Sequence, residues 1–159
     1  MIQNNNLNKK QQTIKSDFSL EGVGLHSGKK VKITLQPAKE NNGIKFIRTD
    51  LKKNNIINAC WSNVSSTTLC TTISNEKKIS ISTIEHLMSA LSGMHIDNLN
   101  ILINNSEVPI MDGSSLPFVE LIEKNGIISQ KVNRQNIIVK KEIKVSNNDS
   151  FVKIIPNNQ

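Results

Sequence analysis

Ile81-Ser82-Thr83-Ile84-Glu85-His86-Leu87-Met88-Ser89-Ala90-Leu91-Ser92-Gly93 is the stretch on which the fold turns, because here the apolar period of the chain changes. Ile84, Leu87, Met88 and Leu91 recur at i, i+3, i+4 and i+7, one face of an amphipathic helix. Ser82, with Glu85 three residues on, predicts a capping box, and Gly93 predicts the C-terminal stop. Upstream, Val31-Lys32-Ile33-Thr34-Leu35-Gln36 alternates with period two, a half-buried strand stopped by Pro37. Asn41-Asn42-Gly43 reads as a turn and Ile44–Arg48 as the returning strand. Less regular β segments follow at 56–64, 67–73 and 78–81. Downstream come a strand at Leu99–Ile103 and a loop with Pro109, Asp112 and Gly113. A second helix then begins near Ser114 or Ser115, with Pro117 in its first turn and Gly126 as its stop. Phe118, Leu121 and Ile122 form its apolar face. Residues 137–145 and 151–155 read as a final hairpin turned at Asn147-Asn148-Asp149. The fold class is α+β.

The 159 residues suit one domain of ~100–150 residues and a little more. Apolar residues make up 36%, rising to about 40% with glycine against the usual ~45–50%. With four Phe, one Trp and no Tyr, the core is expected to be built of Ile, Leu and Val. No run approaches the ~18 apolar residues of a spanning helix, so no membrane span is expected. Residues 1–12 are polar and lack the apolar stretch of a signal peptide, which makes the cytoplasm the expected address.

The net charge of +7 invites a nucleic-acid reading, which the residue types oppose. Arg48 and Arg134 are the two arginines available for bidentate base readout, and five aromatic residues leave little for stacking. Cys60 and Cys70 stand ten apart without a C-x-x-C pair, so they write neither a zinc knuckle nor a redox motif.

Four clusters hold residues capable of chemistry. On the first helix Glu85, His86 and Ser89 point away from the apolar stripe. Glu85 is explained by the capping box and His86 by a solvated surface. Yet a histidine at a helix start gains nothing from the dipole, and Glu beside His is the pairing of metal-assisted hydrolysis. Gly22-Val23-Gly24-Leu25-His26-Ser27-Gly28 is either a glycine-rich turn or a loop permitting close backbone approach to a ligand. Glu107-Val108-Pro109-Ile110-Met111-Asp112-Gly113-Ser114-Ser115 leads into the second helix, where Asp112 and the serines cap it or its N–H groups receive an anion. His95 and Asp97 form an H-x-D pair read as surface.

Taken in order and at their intervals, these strings, with Ile96-Asp97-Asn98, closely resemble the N-terminal half of the UDP-3-O-acyl-N-acetylglucosamine deacetylases, zinc amidases of lipid A synthesis in Gram-negative bacteria. The resemblance runs from about Gln12 to the end of the chain. It implies two similar α+β domains, each a sheet with two helices, with the site between them. On that pattern residues 1–12 are a flexible N-terminus, 13–130 the first domain, and 131–159 the opening hairpin of an incomplete second one. The resemblance implies that His86 is a Zn2+ ligand and Glu85 the general base. It places Leu25, His26, Thr67, Leu69 and Cys70 along the substrate, a UDP-sugar lipid precursor. The family's remaining zinc ligands, a His and an Asp, belong to the second domain and are absent here. The chain is therefore expected to be a fragment that cannot turn over alone; the alternative is an inactive remnant or binding-only domain.

Overall fold

In the computed structural model, which describes residues 9–135 and 137–157, the period-two segments become strands and the period-3.6 segments helices. In chain order the elements are β1 (Lys10–Ile14), β2 (Phe18–Val23), β3 (Lys30–Pro37), β4 (Ile44–Arg48), β5 (Ile56–Asn58), a 3-10 turn (Trp61–Asn63), β6 (Val64–Ser66), β7 (Thr72–Ser74), β8 (Ser80–Ile81), α1 (Glu85–Gly93), β9 (Leu99–Ile103), α2 (Leu116–Asn125), β10 (Ile127–Asn133), β11 (Ile143–Asn147) and β12 (Ser150–Ile154). The architecture is α+β, as the patterning predicts. Among the described residues no helix is long and apolar enough to cross a membrane.

The chain divides into two compact units, Lys10–Val132 and a smaller one holding the β11–β12 hairpin. The larger unit rests on a five-stranded sheet of order β2-β3-β9-β4-β5. All its pairings are antiparallel except β4 with β9. Register sets Phe18, Leu35, Ile101, Phe46 and Ile57 side by side in one row across the five strands. Leu87, Ala90 and Leu91 of α1 and Phe118 and Ile122 of α2 join this row in one buried cluster. Each fully buried Leu, Ile or Phe there contributes about 1.5–3 kcal/mol. A three-stranded sheet, β6-β7-β8, and a two-stranded one, β1-β10, complete the unit.

Several local expectations are overturned by distant partners. Ile44–Arg48 does not return along β3, because β9 lies between them. The Asn41–Gly43 turn is instead gripped from afar: Gly43 N–H donates to Asn98 Oδ1 at 2.9 Å, and Leu99 N–H to the Gly43 carbonyl at 3.0 Å. Asn98 is buried, and its amide nitrogen donates to Gln11 Oε1 at 2.8 Å and Gln130 Oε1 at 2.7 Å. It thereby joins β1, β9 and β10 to the turn. Lys10–Gln12, expected within the flexible segment, are part of strand β1; residues 1–8 lie outside the described residues. The segment expected as a strand at 67–73 begins only at Thr72.

The stop of α1 also differs. Gly93 ends the helix, but the left-handed residue is His95, at φ +58°. His95 N–H donates to the Ser92 carbonyl at 3.1 Å and Ile96 N–H to the Leu91 carbonyl at 2.8 Å, the paired bonds of a Schellman motif. Asp97 Oδ2 accepts from the Gln12 N–H at 2.8 Å. The H-x-D pair thus belongs to the scaffold. Helix α2 follows its sequence signals, with Ser115 at the N-cap, Pro in the first turn, and Gly126 at φ +83° after its end.

Candidate active site

The first turn of α1 presents Glu85 and His86 on the side away from Leu87, Ala90 and Leu91. The capping box is not made. The N-cap position falls on Ile84, without a side-chain cap bond. Ser82 lies upstream in a parallel bridge with Glu107, its N–H donating to the Ser106 carbonyl at 2.9 Å and its carbonyl accepting from Val108 N–H at 3.1 Å. The Glu85 carboxylate turns the other way, and its Oε1 accepts a hydrogen bond from the Thr71 N–H. This bond carries the 67–71 loop to the start of the helix.

Glu85 Oε2 and His86 Nδ1 are both buried and without a hydrogen-bond partner. Unpaired buried polar atoms are costly and uncommon in folded proteins. Here two of them stand on adjacent residues, one a proton acceptor and the other an imidazole nitrogen. The Ser114 N–H and hydroxyl hold the Asp112 carboxyl below its ordinary range. Asp112 Oδ1 accepts both Ser114 bonds at 2.9 Å, and Ser114 Oγ accepts the Leu116 N–H at 3.1 Å, so the loop serves the start of α2.

The glycine-rich loop is held by Glu107. The His26 N–H donates to Glu107 Oε1 at 2.8 Å, and the Ser27 N–H to Oε2 at 2.9 Å. Thr83 Oγ1 donates to Oε1 at 3.2 Å. Burial alone pushes the Glu107 carboxyl up, but these bonds outweigh it and hold its pKa below the ordinary 4.5. The loop's glycines differ in their reasons. Gly28 takes φ +64°, whereas a Cβ on Gly22 would lie 2.8 Å from Pro109 Cβ, and one on Gly24 would press on Glu107 and Ser27.

Four strings far apart in sequence, 22–28, 67–71, 82–86 and 106–113, are therefore bonded into one region. Leu25, His26, Thr67 and Leu69 are exposed there, Leu69 to 89% and at φ +63°, while Cys70 is half-buried. Glu107, Thr71 and Thr83 carry the bonding, and sequence reasoning assigned them no role. The available signal was a charged residue, Glu107, leading an apolar Val108-Pro109-Ile110 run. For a metal, the donor set fits in part. His86 offers a ligand and Glu85 a base, but no group of three His, Cys, Asp or Glu side chains converges among the described residues, and catalytic zinc takes about three protein ligands.

Comparison with known proteins gives a family for the chain. The chain is 46% identical over 146 residues to the UDP-3-O-acyl-N-acetylglucosamine deacetylase of Syntrophus aciditrophicus, covering 92% of this chain and 46% of that protein. It is 46% identical over 147 residues to the Colwellia psychrerythraea protein of the same name and 47% identical over 147 residues to that of Legionella pneumophila, covering 92% of this chain and 48% of each relative. The chain spans about half the length of the curated relatives it matches. The family model for UDP-3-O-acyl N-acetylglycosamine deacetylase matches residues 11–159, nearly the whole chain, and the chain belongs to that family.

Proposed function

We propose that this chain supplies the base and one metal ligand of a zinc-dependent deacetylase. The substrate is a UDP-3-O-acyl-N-acetylglucosamine, as in the relatives' names, and the step belongs to lipid A synthesis. The adjacent buried, unpartnered Glu85 Oε2 and His86 Nδ1 carry this reading. Hydrolysis adds water to the acetamide carbonyl carbon and breaks the C–N bond, leaving acetate and a free amine. Glu85 takes the proton of the attacking water at Oε2, while the Thr71 N–H fixes its other oxygen. His86 is the ligand this chain offers; zinc, when bound, supplies Lewis-acid polarisation and lowers the pKa of water. The exposed Leu25 and Leu69 give apolar surface to the acyl-bearing substrate, with His26, Thr67 and Cys70 beside them. The remaining ligands come from residues outside this chain, in the half of the relatives' length that it does not match. The 131–159 segment, with its hairpin, opens that second domain, after a first domain at 13–130. The enzyme works in the cytoplasm.

The test joins this chain to the second half of the Legionella pneumophila relative and measures acetate release and zinc content. Glu85→Gln is expected to lower the rate by about 10²–10⁴-fold with zinc retained, and His86→Ala to lose both. The unjoined 159-residue chain is expected to hold no stoichiometric zinc. Activity that survives both substitutions would overturn the assignment.

A further inference from the structure

Glu107 is a buried carboxylate, 2% exposed, that the proposed reaction does not consume. We propose that it is a positioning residue that ties the glycine-rich loop to the start of α1, holding Leu25 and His26 in one rim with the Glu85–His86 pair. Its two oxygens divide the work. Oε1 is shared by the His26 N–H and Thr83 Oγ1, and Oε2 takes the Ser27 N–H. The backbone beneath it is bonded on both sides of Ser82, so the carboxylate reaches the loop from a fixed base. Thr83, two residues before the base, sits at φ +57°. A β-branched residue keeps such a conformation only where its surroundings over-determine it, and the Glu107 bond is one of those constraints. Gly24 leaves no room for a side chain against Glu107, so loop and carboxylate are packed as well as bonded. The loop, the strained Thr83 and the Glu85–His86 turn therefore move together or not at all.

This rests on the deacetylase reading for the meaning of the site, but its test needs neither metal nor substrate, so the two fail separately. Amide hydrogen exchange and the His86 imidazole resonance are followed by NMR in the 159-residue chain. The variants are Glu107→Gln, Thr83→Val and Thr83→Ser. Glutamine keeps the shape but offers one acceptor oxygen and turns a donor toward a donor. At least one of the His26 and Ser27 amides is expected to exchange about tenfold faster or more, while the Leu35 and Ile101 amides stay within about twofold. The His86 resonance is expected to shift in Glu107→Gln and Thr83→Val and to return in Thr83→Ser, which keeps the hydroxyl. Unprotected loop amides in the wild type, unchanged exchange in Glu107→Gln, or an unmoved His86 resonance would overturn the proposal. So would an equal rise at the core amides, which would assign Glu107 to fold stability alone.

Discussion

Replacing Gly24 by alanine tests the packing of the loop against its carboxylate. The backbone at Gly24 is not left-handed, so the substitution meets no φ penalty; what it meets is matter. The added Cβ would lie 2.8 Å from Glu107 Cδ and closer still to Glu107 Oε2 and Ser27 Oγ. Side-chain oxygens often swing aside cheaply. Glu107 cannot, because it is buried and its oxygens are engaged by His26, Ser27 and Thr83. Overpacking costs about 1–3 kcal/mol, and each hydrogen bond to a charged group is worth about 1.5–3 kcal/mol. Losing one bond while relieving part of the clash gives an expected cost of about 2–4 kcal/mol. For a unit of this size that is a fall in Tm of roughly 6–16 °C, read by near-UV circular dichroism or calorimetry. Gly93→Ala is the internal control. Its Cβ meets nothing within 4 Å, and at the last residue of α1 the change in stability is expected to stay within about 0.5 kcal/mol. A Gly24→Ala variant that melts with the wild type would mean that the loop is not packed tightly against the Glu107 carboxylate.

The depressed pKa of Glu107 makes stability pH-dependent in a definite sense. Its contribution is full above the unfolded value near 4.5 and is lost as pH falls through the lower folded value, so the urea midpoint should drop more for wild type than for Glu107→Gln between pH 6 and pH 3. Phe46, 0% exposed in the central row, should cost about 3–5 kcal/mol on truncation to alanine in urea unfolding. Phe151, exposed on β12 with Lys144 Nζ 4.4 Å from its ring centroid, should cost no more than about 1 kcal/mol. The cross-strand pair Val145 and Val152 is 67% and 69% exposed beside other apolar hairpin residues. The 159-residue chain is therefore expected to self-associate in sedimentation velocity, and Val152→Lys to reduce it; a sharply melting monomer would count against this.

Much of this protein is written locally. Alternation in Val31–Gln36 and Leu99–Ile103, and the spacing of Ile84, Leu87, Met88 and Leu91, decide strand, helix and buried face, because those depend on neighbours one to four residues away. Helix α2 could be read almost to the residue for the same reason: Ser115, Pro117 and Gly126 act on the backbone beside them. That Glu85 and His86 stand off the core face was likewise legible. What the chain could not show locally was who would meet whom. A turn at Asn41–Gly43 looks the same whether its strand pairs with β3 or is drawn by Asn98 to β9, and Glu85 satisfies a capping pattern that Thr71 takes over. Glu107 meets its loop partners about 80 residues away. Spacing carries periodicity along one element, whereas hydrogen bonds between distant segments exist only once the elements have packed, and only packing joined the four strings into one region.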